Sequence, residues 1–454
     1  MPGKHMSRQE KILTVCVILT FIILMVLMVM TIALNSAASG TLYYTPPFAV
    51  SSLLTDAEEE TAAASPEAYV VPAFIGISPV PEGMGISIGD NVIRELYNLL
   101  APCLADGLAA EGTADTDVNW DMAAKSSRAV YIRYHSALPM VVLQEAAAAV
   151  CQDAEQVSDT AVLLVRELII LLPDDQYSDC QILLPDTNGN IWRYRCSGRR
   201  EYPSLETVET FADGFRNSFY RFTLGGENCG STEPVFLERL RVRNMLLTPG
   251  TAELIRDNRL NDFRKFLRQF DFNLDKLSSH EEADGTQVTV ESHGVFRMQA
   301  DRLTYTAGTD GGVPLQNFVG YREQYTLADS LQAACTIIRN LHSYYLGGDG
   351  ELILTEVSET DGQLRMVFRY AFDNLLLDEC DPAMVVVLEN DRVMTADIYA
   401  IALRSLGDFD TSYLETGVLQ GMSSDAEYTD VTLTYPVDFT SSSIYPVWTL
   451  YRKN

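Results

Sequence analysis

Hydrophobic positions fall into one long unbroken run followed by many short periodic ones. From Ile12 to Leu34 no residue is charged, and only Thr14, Thr20 and Thr31 interrupt the apolar side chains. As a helix rising about 1.5 Å per residue, this stretch spans roughly 34 Å, enough to cross a hydrocarbon core of about 30 Å. A soluble helix would carry a polar face; this one has none. Past Leu34 no run of comparable length recurs, so a single membrane crossing is expected. Residues 1–11 then form a short tail, 12–34 the transmembrane helix, and 35–66 a stalk that is small-residue-rich, Pro-containing and acidic.

Beyond the stalk the periodicities alternate between 3.6 and 2 residues. In a first domain, 67–200, short strands are expected at Tyr69–Val71 and Ile86–Ile88. A helix follows from Asp90, with Ile93, Leu96, Tyr97 and Leu100 on one face. Ala129–Tyr134 reads as a strand, and Ala137-Leu138-Pro139 leads into an apolar helix that runs through Val150. Ala161–Val165 reads as a strand, with continuation as far as Leu172 left open, and Gln181–Pro185 with Ile191–Arg195 read as a hairpin turning near Asn188-Gly189. A second domain, 201–313, carries a helix with Leu260, Phe263, Phe266, Leu267 and Phe270 on one face. Strands Val288–Glu291, Val295–Met298 and Leu303–Thr306 follow. A third domain, 314–454, repeats that order: a helix capped by Thr326 and Asp329, then strands over Leu352–Val357, Leu364–Phe372 and Met384–Leu388. The repeated order leaves an internal duplication open. Strand-like Thr429–Tyr435 and Pro446–Tyr451 complete the chain. The expected fold class is α+β, helices packed on antiparallel meanders.

Charge sharpens the location. Lys4, Arg8 and Lys11 precede the apolar run, and no further Lys or Arg occurs until Arg94. The positive-inside rule places the N-terminus in the cytoplasm and the rest outside the cell membrane. A cleaved signal peptide is the alternative, but its apolar region usually spans only about 7–15 residues. The whole chain has 62 acidic and 33 basic residues, a net charge of −29. Nucleic acid is therefore not an expected partner, because phosphate binding needs a positive footprint.

Candidate chemistry is sparse. Of eight cysteines, Cys16 lies in the apolar run and seven lie beyond it. Cys180 and Cys196 flank the predicted hairpin and are the best-placed pair for a disulfide; separate buried thiols are the alternative. Gly85-Ile86-Ser87-Ile88-Gly89 matches G-x-S-x-G, but the preceding Ser78–Gly83 is a poor nucleophile-elbow strand, so a surface strand or turn is the plainer reading. His135, His280, His293 and His342 form no metal-ligating pattern. Asp186–Asn190 has its glycine two positions early for a calcium loop and reads as a hairpin turn. No catalytic, cofactor-binding or metal-binding residue is assigned, and no small-molecule ligand is evident. In the apolar run, Cys16 and Thr20 share one helix face and are the candidates for contact with a partner helix.

With this layout the chain resembles the YycH/YycI-type regulators of a Gram-positive cell-wall sensor histidine kinase. The resemblance rests on a basic tail with one membrane helix, and on Val130–Leu143 ("VYIRYHSALPMVVL") ahead of the Asn188-Gly189 hairpin. It extends to Val288–Tyr305 ("VTVESHGVFRMQADRLTY") and to the ending Ser443–Tyr451 ("SIYPVWTLY"). It implies a non-enzymatic, three-part extracytoplasmic fold that modulates the kinase, or a related regulator, through membrane-helix and ectodomain contacts. The strong acidity and the seven cysteines depart from that type. An anchored enzyme acting on wall or peptide substrates, or a structural component of an envelope assembly, are the competing expectations.

Overall fold

The computed structural model describes residues 66–452 except 78–82, 87–89, 111, 116–117, 152–162, 175–176, 187–189, 197, 199, 225–233, 237–238, 250–266, 274, 300, 310, 346–348, 379, 411–427 and 442. The expected membrane helix, with Cys16 and Thr20, lies outside the described residues. Among those residues no helix is long and apolar enough to cross a membrane. The architecture is α+β and mainly antiparallel; among the described strand pairs only one is parallel.

The first sheet takes its strands from the chain's first half. They are β1 (Pro72–Ile77), β2 (Gly83–Ile86), β3 (Thr113–Asp115), β4 (Ala129–Pro139), β5 (Leu164–Leu171), β6 (Gln181–Pro185), β7 (Ile191–Arg195), β8 (Tyr220–Leu224) and β9 (Pro234–Phe236). Their order is β3-β7-β6-β5-β4-β1-β2-β8-β9. The accompanying helices are α1 (Asp90–Leu108), α2 (Trp120–Ala124), α3 (Met140–Val150) and α4 (Leu205–Gly214). On α1 the predicted stripe of Ile93, Leu96, Tyr97 and Leu100 is buried, and the helix continues through Pro102 to Leu108. A proline there forfeits one i→i−4 bond, so the extension is sustained by burial of Cys103, Leu104 and Leu108 rather than by propensity. α3 packs on α1 through an Ala-rich face, where Ala146 and Ala147 permit close approach.

The second half contains β10 (Arg241–Pro249), β11 (Ser278–Glu281), β12 (Gln287–Glu291), β13 (Gly294–Met298), β14 (Arg302–Ala307) and β15 (Val313–Pro314). Helices α5 (Gln316–Val319) and α6 (Leu327–Tyr345) follow. Next come β16 (Glu351–Thr360), β17 (Gln363–Phe372), β18 (Leu375–Asp378), β19 (Met384–Glu389), β20 (Arg392–Tyr399), β21 (Ile401–Asp410), β22 (Tyr428–Pro436) and β23 (Val447–Arg452). Most join one sheet in the order β11-β12-β13-β14-β20-β19-β17-β18-β22-β23, with β15 on β20 and β16 on β17; β10 and β21 form a separate ribbon.

Local chemistry explains several elements. Thr326 and Asp329 cap α6 reciprocally: the Asp329 N–H donates to Thr326 Oγ1 at 3.2 Å and the Thr326 N–H to Asp329 Oδ2 at 2.9 Å. Asp361-Gly362 and Asn390-Asp391 both turn with positive φ, the geometry of tight hairpins. β17 buries Met366, Phe368, Tyr370 and Phe372 as its alternation predicts, yet Val367 and Ala371 on the other face are buried too. Tertiary covering, invisible to a period-2 pattern, accounts for that second face. Pairing also crosses both expected domain boundaries: β8, after residue 200, pairs with β2, and β14, before residue 314, pairs with β20.

Candidate functional site

The polar groups with the most specific partners gather where the two sheets meet. Pro66, Val70 and Val71 lie buried at this joint, and the Tyr69 ring packs edge-on to Phe368 at 5.9 Å. The Leu354 N–H donates to the Tyr69 carbonyl at 2.9 Å, a backbone bond from β16 to the segment leading into β1. Arg94 on α1 donates to the Ala68 carbonyl at 2.7 Å and pairs with Glu351 at 3.0 Å. Ser136 on β4 donates to the Thr355 carbonyl, and Arg243 on β10 pairs with Asp373 at 2.9 Å.

His135 and Asn374 sit within the joint. Asn374 is fully buried with φ +65°, and its Nδ2 donates to the Pro72 carbonyl at 3.0 Å. Its Oδ1 thus faces His135 Nε2 at 3.4 Å, which assigns the imidazole proton to Nε2. Burial pushes the His135 pKa down to about 4, opposed by the Asn374 hydrogen bond and reinforced by the positive charges of Arg133 and Arg166. A neutral imidazole hydrogen-bonded to a buried amide ties β4 to the turn between β17 and β18. Asp373-Asn374 was missed in the sequence, although two consecutive Asx residues between strands are a turn signal.

The other candidates are dispersed. Ser87, residues 35–65 of the stalk and the Asn188-Gly189 turn tip lie outside the described residues, as do the Leu260, Phe263 and Phe266 positions and the His342 side chain; Pro66, at the stalk's end, is instead buried in a short 3-10 helix, Pro66–Ala68. Gly85 of the G-x-S-x-G match has a packing reason. It pairs with Gly76 across β1–β2, and a Cβ on it would stand 2.5 Å from the Phe74 ring. His280 lies on exposed β11, and His293 Nε2 stands 3.9 Å from Asp271. At the calcium-like loop, the Asn190 N–H donates to Asp186 Oδ1 at 2.8 Å, closing a hairpin turn as expected. Among the described residues no three His, Cys, Asp or Glu side chains converge as a metal site.

The cysteines are less scattered. Cys180 and Cys196 stand opposite each other at the open end of the β6–β7 hairpin, and the Cys196 N–H donates to the Cys180 carbonyl at 3.0 Å. Both carry free thiols, beside that of Cys103 on α1. The Cys180 thiol is pushed up chiefly by its hydrogen bond with Cys103, and that of Cys196 chiefly by its hydrogen bond with Cys180.

No family model matches the chain, and no curated protein matches its sequence. A solved structure does: the crystal structure of YycH from Bacillus subtilis superimposes with a TM-score of 0.52, covering 86% of this chain and 97% of that one. The chain has a YycH-like fold. Sequence identity over the match is 9%, so the likeness lies in architecture rather than in shared side chains.

Proposed function

We propose that the chain is a non-enzymatic regulator that modulates a two-component sensor histidine kinase from outside the cell membrane. The observation that carries this reading is the YycH-like fold, which accounts for 97% of the solved YycH chain. The order of elements that produced the resemblance at the sequence level supports it independently. In this reading Ile12–Leu34 anchors the protein as a single-pass helix with a cytoplasmic N-terminus, and Cys16 and Thr20 meet the partner's membrane helix. A single helix transmits little alone. A helix attached to a large packed ectodomain biases a partner's two-state equilibrium by binding one state better than the other. The test replaces Ile12–Leu34 with an unrelated membrane span while keeping the ectodomain intact, and measures kinase output in cells. Altered output is expected; unchanged output would remove the helix-contact part of the reading. Crosslinking in cells should recover a sensor histidine kinase with the full-length chain, and its absence would overturn the kinase partner itself.

A further inference from the structure

We propose that Cys103, Cys180 and Cys196 form a thiol site in which a disulfide joins Cys180 to Cys196 while Cys103 stays reduced beside it. The oxidising surroundings this requires rest on the extracytoplasmic location proposed above.

The geometry comes from three elements. Pairing of Gln181 with Arg195 sets Cys180 directly opposite Cys196, so their side chains leave the hairpin on the same face. That face is turned to α1. Ile182, two residues along from Cys180, reaches Gly107, where an added Cβ would stand 2.5 Å from Ile182 Cδ1 and 3.1 Å from Cys196 Sγ. Gly107 lies one helical turn beyond Cys103, so only the missing side chain there leaves room for the sulfur. Cys196 Sγ donates to the Cys103 carbonyl at 3.5 Å, and the Cys180 thiol is hydrogen-bonded to both of the others. Directly opposed strand positions hold two Cβ atoms about 4.5–5.5 Å apart, so a small adjustment of the hairpin's open end brings them within reach of a bridge. The bridge therefore closes across the hairpin.

The chemistry follows from exposure. Cys103 and Cys180 are buried, and Cys196 is partly buried. While the hairpin is still unpacked, Cys196, the less buried of the pair in the final fold, exchanges with the disulfide of an oxidant such as an oxidised thiol–disulfide oxidoreductase or oxidised glutathione. Its thiolate attacks one oxidant sulfur, and the other sulfur leaves as a thiolate that takes up a proton. The Cys180 thiolate then attacks Cys196 Sγ and releases the oxidant's second thiol. Two S–H bonds are lost and one S–S bond forms; two electrons and two protons pass to the oxidant, whose disulfide becomes two thiols. Once the hairpin packs on α1, mutual hydrogen bonding and burial hold these thiols protonated and unreactive, so the exchange belongs to folding rather than to signalling.

The test uses the full-length chain in two preparations. One is taken from membranes of its own cells; the other is denatured, reduced and refolded with oxidised and reduced glutathione. Each is alkylated under denaturing conditions, digested without reduction and analysed by mass spectrometry. A peptide linking Cys180 to Cys196, with Cys103 alkylated, is expected in both, and Cys103→Ala should keep that link. A link between Cys103 and Cys180, or three alkylated cysteines after glutathione refolding, would overturn the assignment. A bridge formed in glutathione but wholly absent from the cell-derived protein would uphold the site and overturn the extracytoplasmic location instead.

Discussion

Each half of the molecule holds an aromatic cluster, and the two do different work. In the first sheet Phe74 stands 4.9 Å from Phe222 and 5.6 Å from Phe236, all three on strands. Their rings lie over the Gly76–Gly85 pair, where two adjacent strands give up side chains to make room. In the second sheet Phe296 and Tyr305 are cross-strand partners, but the ring between them comes from outside. Phe270 lies 5.0 Å from Phe296, 4.8 Å from Tyr305 and 5.4 Å from Phe318 of α5. The first cluster fills a gap made by glycines within a sheet. The second pins a non-strand segment onto a sheet's face. Similar edge-to-face contacts thus fix strand packing in one place and attachment in the other.

The contrast is broken most forcefully at Phe270. Truncation to alanine removes the ring that touches all the others, and a loss of about 3–5 kcal/mol in chemical denaturation is expected. A loss under about 1 kcal/mol would mean the segment is not pinned. Gly76→Ala probes the other cluster, where two terms oppose each other. Restricting the unfolded chain gains roughly 0.4–1 kcal/mol, whereas forcing a methyl into the Phe74 and Phe222 rings costs roughly 1–3 kcal/mol. The clash should win by about 1–2 kcal/mol, and a stabilised variant would show that the rings yield freely.

Between the clusters lies the joint, which should respond to acid. His135 has an unfolded pKa of 6.5 and a folded pKa lowered to about 4, so between those values the unfolded chain binds more protons. Its contribution is complete above pH 6.5 and is lost as pH falls toward 4. Because the side chain is partly solvated, the expected loss is only about 1–2 kcal/mol. Stability measured across that window for the wild type and for His135→Asn should converge at low pH; parallel curves would exclude His135 as the source. The smallest effect is expected at Arg94–Glu351, a partly exposed pair across the joint. A double-mutant cycle with alanine at both positions should give a coupling of about 0.5–1 kcal/mol, reduced by salt. Zero coupling would mean that Arg94 acts through its bond to the Ala68 carbonyl rather than through Glu351.

Elements governed by neighbours in sequence were legible before the fold was seen. The β6–β7 hairpin runs Gln181–Pro185 and Ile191–Arg195 as its alternation predicts, and the Thr326–Asp329 cap and the Asp361-Gly362 turn need only residues a few positions apart. Phe270 was visible as a member of a helical stripe, though not as an anchor on Phe296. The sequence also left Cys180 and Cys196 open between a bridge and separate thiols, and gave no sign that Cys103 would stand beside them. Nor did it reveal the β10–β21 ribbon, whose partners lie about 160 residues apart.

By itself, then, the sequence determined the apolar run at Ile12–Leu34, the Thr326–Asp329 cap, the tight turns and the buried face of α1. Each of these follows from periodicity or backbone preference within a few residues. Only the tertiary structure decided that β8 would join the first sheet and β14 the second, and that Asn374 would close on His135 and Pro72. It also decided why Gly76 and Gly85 must be glycine. Those outcomes depend on which surfaces meet after the chain has looped back over many residues, and a one-dimensional pattern carries no record of what will lie opposite.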